Sequence, residues 1–267
     1  MNFGILDLIR GLIDAGYYVH LNIDESVIPQ SPKYKKGPYY HPIFIYGYNN
    51  LTGKFKISGY FNHHKYEFIE ADYALIEKGY ELAKADKNSL WINRLQLYKV
   101  NPSANYIFDI ECVVEGLREY CLSIPSDRKI RHFENPDPDA KFGLQTYDCM
   151  EEHIETIATY NYPIDLRPFH IIWEHKKVMV SRLNYMMHDE LNLKEFINQY
   201  SELEKETNSI KDTALKFKIT EDMRLLNNLS KSLKKIHTRE KYILEELIST
   251  LEKNNQKLII NQEEKIK

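Results

Sequence analysis

The chain has 267 residues, 43% of them apolar and 28% charged, which is enough for one large or two small cores of ordinary globular composition. A net charge of −3 and a pI near 6.4 exclude a basic nucleic-acid footprint, and no apolar run approaches the ~20 residues of a membrane-spanning helix. Three cysteines, Cys112, Cys121 and Cys149, are too scattered for a disulfide framework, and Asp7 and Arg10 interrupt the stretch a signal peptide would keep apolar, so a cytoplasmic protein is expected.

Phe3, Leu6, Ile9, Leu12 and Ile13 recur at helical spacing and Gly16 stops them, which predicts a helix over residues 3–15. Residues 17–23 alternate and are rich in strand formers. Three prolines make residues 24–40 a loop. Residues 41–48 are a continuous apolar run, read as a strand covered on both faces. Turn residues follow at 49–53, and residues 54–61 return as the partner strand, with a further short strand at 66–69. Helix is expected at 71–85, strand at 91–100 and helix at 108–122. Residues 123–140 carry three prolines and many charges and read as an exposed loop. Helices are expected at 144–160 and 166–188, the second with Pro168 in its first turn. From residue 193 two apolar stripes, Phe196–Tyr200–Leu203 and Leu225 through Leu251, predict an antiparallel helical pair broken near 218–220, with a frayed polar end. The 20 tyrosines suit half-buried positions at a core boundary.

His41, opening its strand, is the first candidate site residue. A strand-borne histidine beside a hairpin serves as a general base where a nucleophile and an orienting group converge on it. If Tyr48 faces Lys54 across the turn, His41 lies opposite Phe61 and beside Asn62, whose side chain can accept the proton of the far imidazole nitrogen. Pro42 sets His41 at an edge or a strand start, which a histidine of no chemical role occupies equally well. His170 and Glu174 share a helix face that can bind a metal, yet His175 points a quarter-turn away, so solvated residues are the better reading there and at His63 and His64. Cys112 reads as a buried small hydrophobe beside Ile110 and Val113, not as a nucleophile. Lys33, Lys35 and Lys36 read as a solvated loop, with steering of an acidic partner as the alternative.

Residues 21–29 (Leu-Asn-Ile-Asp-Glu-Ser-Val-Ile-Pro), a loop, and then 41–48 (His-Pro-Ile-Phe-Ile-Tyr-Gly-Tyr) resemble the middle of the butirosin biosynthesis protein H family. Residues 142–148 (Phe-Gly-Leu-Gln-Thr-Tyr-Asp), 165–170 (Asp-Leu-Arg-Pro-Phe-His) and 174–176 (Glu-His-Lys) resemble that group's helical part, so the resemblance covers most of the chain. The family is similar in its N-terminal domain to papain-like and bacteriocin-processing cysteine peptidases, and its members occur near peptide and polyketide antibiotic synthesis genes. The resemblance implies acyl transfer from a carrier-protein thioester to an amine, with His41 as catalytic histidine and Asp24 in the loop facing it. It also implies that the nucleophilic cysteine and the oxyanion donors lie ahead of residue 1, and it aligns the peptidases' aspartate with Ser58 and Gly59.

The expectation is therefore an α+β protein. Residues 1–135 would form a partial papain-like domain with a short antiparallel sheet, and 136–267 a mostly helical domain ending in an antiparallel helical pair. Its expected role is that of a cysteine-peptidase-like acyltransferase relative in secondary-metabolite biosynthesis, with His41, Asn62 and Asp24 at the site and no cofactor or metal. The alternative is a catalytically inactive or truncated member that binds an acyl carrier protein or a biosynthetic enzyme. A core lacking its first helix would expose Val19, Leu21, Phe44 and Tyr46, favouring a homodimer or a partner over that face.

Overall fold

Alternation along the strands decides the architecture of the first half of the chain. The computed structural model describes residues 4–63, 65–86, 95–105, 107–126, 139–187 and 192–266, with side chains as far as 254. These fall into two units, Met1–Tyr106 and Ile107–Lys267. Helix α1 (Ile5–Asp14) leads into strands β1 (Tyr18–Asp24), β2 (Tyr40–Asn49), β3 (Lys54–Phe61) and β4 (Lys65–Asp72). Helix α2 (Tyr73–Ala85) and strand β5 (Leu95–Tyr98) complete the unit, in an antiparallel sheet of order β4-β3-β2-β1-β5. Residues 91–94 of the strand expected at 91–100 lie outside the described residues.

One sheet face is apolar. Val19, Leu21, Ile43, Ile45 and Ile57 are buried there against Ile9 of α1 and Ile76 of α2. The other face is aromatic: Tyr18 stacks on Phe44, Phe44 meets Tyr98, Tyr46 meets Phe68, and Tyr66 contacts both Phe68 and Tyr60. Two expectations are corrected by this alternation. Strand β2 is not covered on both faces, because only Ile43 and Ile45 are buried. Val19, Leu21, Phe44 and Tyr46 do not form one exposed patch either, since Val19 and Leu21 point into the core.

The second unit is helical: α3 (Ile110–Leu122), α4 (Thr146–Tyr160), α5 (Arg167–Met186), α6 (Lys194–Thr220) and α7 (Met223–Ile266). Asp109 caps α3 by accepting from the backbone N–H groups of Glu111 and Cys112. Because α3 packs on α7, it belongs to the helical unit, and the division falls near residue 106 instead of 135. The chain is thus α+β, with its sheet in the N-terminal half and helices in the C-terminal half. Helix α7 packs on α3, α4 and α6, while α5 packs on α6. Helices α6 and α7 run antiparallel across a turn in which Glu221 adopts φ +53°. Glu206 pairs with Lys235 at 3.3 Å and with Arg239 at 2.7 Å, and Arg239 also reaches Glu202. The helix continues to Ile266, through the polar end expected to fray.

Gly143 opens the short 3₁₀ turn ahead of α4 with φ +54°, and a Cβ there would lie 2.0 Å from the Tyr120 carbonyl oxygen of α3. Both the backbone conformation and the space demand glycine. Gly143→Ala is expected to destabilise the chain by more than about 2 kcal/mol, read as a lowered urea midpoint of the 222 nm helical signal; an unchanged midpoint would contradict the tight α3 contact.

Candidate functional site

The pairing of β1 with β2 assembles the first constellation. Its register sets Ile23 opposite His41 and Asp24 opposite Tyr40, so the next residue of the chain, Glu25, arrives beside Tyr39 and donates its backbone N–H to the Tyr39 carbonyl at 2.9 Å. A one-turn 3₁₀ segment, Glu25–Val27, folds there under the cap of Asp24, whose carboxylate accepts from the backbone N–H groups of Ser26 (2.9 Å) and Tyr39 (3.0 Å). Gly79 lets α2 lie directly over this corner, since a Cβ there would sit 3.1 Å from the Asp24 carbonyl oxygen.

The result is a buried carboxylate aimed at an imidazole. Glu25, 2% exposed, holds His41 Nδ1 at 3.0 Å on one oxygen and accepts the Ser31 hydroxyl at 3.0 Å on the other. A carboxylate is acceptor-only, so it selects the Nδ1–H form of a neutral ring and leaves Nε2 as the nitrogen available for proton transfer. Tyr39 stacks on His41 at 5.7 Å, Tyr60 meets it edge-on at 6.4 Å, and Lys33 lies over the Tyr39 ring at 4.8 Å. Together with Pro32 these residues line a cavity of about 140 Å³, which suits the reacting end of a molecule more than a whole ligand.

The structure places the sequence-derived candidates unevenly. His41 stands at the site, with Lys33 of the basic loop on its rim. Asn62 does not hold the imidazole: its amide donates to Glu67 at 2.7 Å, and its backbone turns away at φ +22°. Asp24 shapes the corner through its cap without touching the ring. The hairpin register explains the near miss. Tyr48 faces Phe55, not Lys54, but a bulge at Tyr46 restores by Phe44↔Ser58 the register that a Tyr48↔Lys54 pairing would give. Ser58 is buried and bonded to the Tyr66 hydroxyl at 3.0 Å. Glu25 was the missed residue, and its signal lay in the β1–β2 pairing.

The helical unit holds a second constellation. Lys176 of α5 and Glu240 of α7 are both fully buried, with Nζ 2.6 Å from each carboxylate oxygen. Tyr147 of α4 donates to Glu240 at 2.7 Å, and Lys176 also donates to His175 Nδ1 at 3.1 Å and to the Tyr120 hydroxyl at 3.4 Å. Burial pulls the Lys176 ammonium down while Glu240 opposes it, and burial beside Glu240 drives the Tyr120, Tyr147 and Tyr200 hydroxyls well up, so they remain donors. Burial, then the Lys176 charge, pushes His175 down to about 4. Its ring stacks on Tyr120 at 4.7 Å. His170 and Glu174, by contrast, form an exposed pair at 3.3 Å, and among the described residues no cluster suited to a metal occurs. His64 lies outside the described residues. Cys112 is exposed, correcting the expected burial; Cys149 is exposed as well, and Cys121 is buried, its thiol raised by desolvation.

Removing one member of the buried pair strands the other charge. Lys176→Met is expected to cost about 3–5 kcal/mol, and the double variant Lys176→Met with Glu240→Leu to recover most of it; urea unfolding of both variants checks the ordering. For His175 the folded value lies below the unfolded 6.5, so the folded state binds fewer protons. Its contribution is complete above pH 6.5 and is lost as pH falls through about 4, by roughly 3 kcal/mol in all. His175→Gln should flatten that part of the stability profile between pH 7 and 4.

No family model matches the chain, and neither does any curated protein.

Proposed function

We propose that the N-terminal unit is the general-base half of an acyltransferase that moves an acyl group from a carrier-protein thioester to an amine. One observation carries this reading: the buried Glu25 carboxylate holds His41 through Nδ1 at 3.0 Å beside a small open cavity. A base needs a fixed tautomer, a free nitrogen and a place for the reacting atom, and those three conditions meet at His41. The segments at 21–29 and 41–48 that resemble the butirosin biosynthesis protein H family are the ones that build this corner.

In this reading His41 Nε2 removes the proton of the attacking amine as its nitrogen adds to the thioester carbonyl. Collapse of the adduct expels the thiolate, which takes up the proton, and an amide remains. Glu25 stabilises the imidazolium that forms in between. Lys33, at the rim, attracts the acidic surface of a carrier protein. Residues 1–106 contain no cysteine, and the step as written needs none, since the base acts on the attacking amine. The same fact favours a second reading, in which the unit binds an acylated carrier or a partner enzyme without turnover.

The full chain, offered an acyl-pantetheine thioester and a primary amine, is expected to form amide above the uncatalysed rate. His41→Ala should lower that rate by about 10²-fold or more, and Glu25→Gln by at least about tenfold, with thioester binding preserved. Amide formation indifferent to His41→Ala would make the histidine structural. Binding of the acylated carrier without any amide would establish the second reading instead.

A further inference from the structure

The helical unit contains two apolar cavities, of about 590 Å³ and about 430 Å³, that share a wall. The shared wall is the stacked pair of Tyr120 and His175. Either volume lies in the range of small-molecule sites. Nothing in the reaction proposed for the N-terminal unit uses them.

Their polar chemistry has one sign. Neither lining includes an aspartate or a glutamate. The larger cavity carries Arg182, which makes no ion pair among the described residues, two turns from His175 on α5. Lys176 also reaches the smaller cavity, but Glu240 neutralises it. That buried pair does something more specific than balance charge. By donating to Nδ1 of His175 at 3.1 Å, Lys176 occupies the ring's lone pair there and obliges the neutral ring to carry its proton on Nε2. Among the described residues this Nε2–H has no acceptor. The larger cavity therefore combines apolar walls from Phe108, Leu117 and Met179 with two donors that have no protein acceptor among the described residues, the partly exposed His175 and the exposed, cationic Arg182.

We propose that this cavity binds a single-chain aliphatic carboxylate, its tail against the apolar walls and its head group met by Arg182 and His175. A carboxylate accepts from both donors, which a cationic or donor-only head group cannot do. An alkyl chain also suits walls that are mainly apolar and whose remaining polar groups, on Cys112, Tyr120, Ser181 and Tyr185, are uncharged side chains.

Gly116 of α3 supplies a clean test. It lines the larger cavity, and a Cβ built on it meets no heavy atom within 4 Å. Gly116→Phe thus fills the chamber from a helix position where replacing glycine does not weaken the helix. Titration calorimetry of the full chain with dodecanoate below its micellar range should show one-to-one binding. Dodecyltrimethylammonium, with the same tail and the opposite charge, should bind at least about tenfold more weakly. Arg182→Gln should weaken dodecanoate about tenfold and leave dodecanol unchanged, while Gly116→Phe should abolish binding of both with the unfolding midpoint retained. Absence of dodecanoate binding, or equal binding of the two surfactants unaffected by Gly116→Phe, would overturn the proposal.

Discussion

The antiparallel register of β1 against β2 is the constraint on which the first unit's chemistry depends. With Ile23 opposite His41, the chain leaving β1 can only turn beside the ring that opens β2. Asp24 caps that turn, Gly79 lets α2 close over it, and Glu25 is carried into the interior with His41 and Ser31 as its partners. A buried carboxylate without such partners would be costly. Here each oxygen has one, and the arrangement fixes the imidazole as a consequence. A one-residue slip of β1 would turn Val19 and Leu21 out of the core and remove Glu25 from the ring at once.

The aromatic face of the same sheet gives the corner its surroundings. Tyr60 joins His41 to Tyr66 and from there to Phe68 and Tyr46. Many of the tyrosines that composition assigns to a core boundary sit on this face, half-buried or exposed beside one another. In the helical unit, fully buried charge plays the corresponding role. The Lys176–Glu240 pair ties α5 to α7, draws in Tyr147 from α4 and Tyr120 from α3, and sets the tautomer of His175. Two histidines in one chain are thereby held in opposite forms, one by a carboxylate and one by an ammonium.

Much of the architecture was legible in the sequence because it is written in periodicity. The alternation after Gly16, the turn residues at 49–53 and the two stripes beyond residue 193 each lead to the element observed. His41 was legible for the same reason, since it opens a strand. What periodicity does not carry is pairing between segments that a loop separates. Asn62 is near His41 in a hairpin count, while Glu25 is near it only through β1, across fifteen intervening residues. Asp24 and Glu25 adjoin in sequence, yet only the 3₁₀ turn decides which caps and which enters the interior. The Lys176–Glu240 pair was illegible for a related reason: on their own helices both residues read as ordinary solvated charges, and burial follows from five helices meeting around them.

The measurement that bears most directly on the account is the tautomer of His41, read by long-range proton–nitrogen NMR correlation of the imidazole at a pH where the ring is neutral. Glu25 as its partner requires the proton on Nδ1 and a bare Nε2, and Glu25→Leu should release that preference. A neutral ring protonated on Nε2 in the wild-type chain would contradict a carboxylate-held base at this corner.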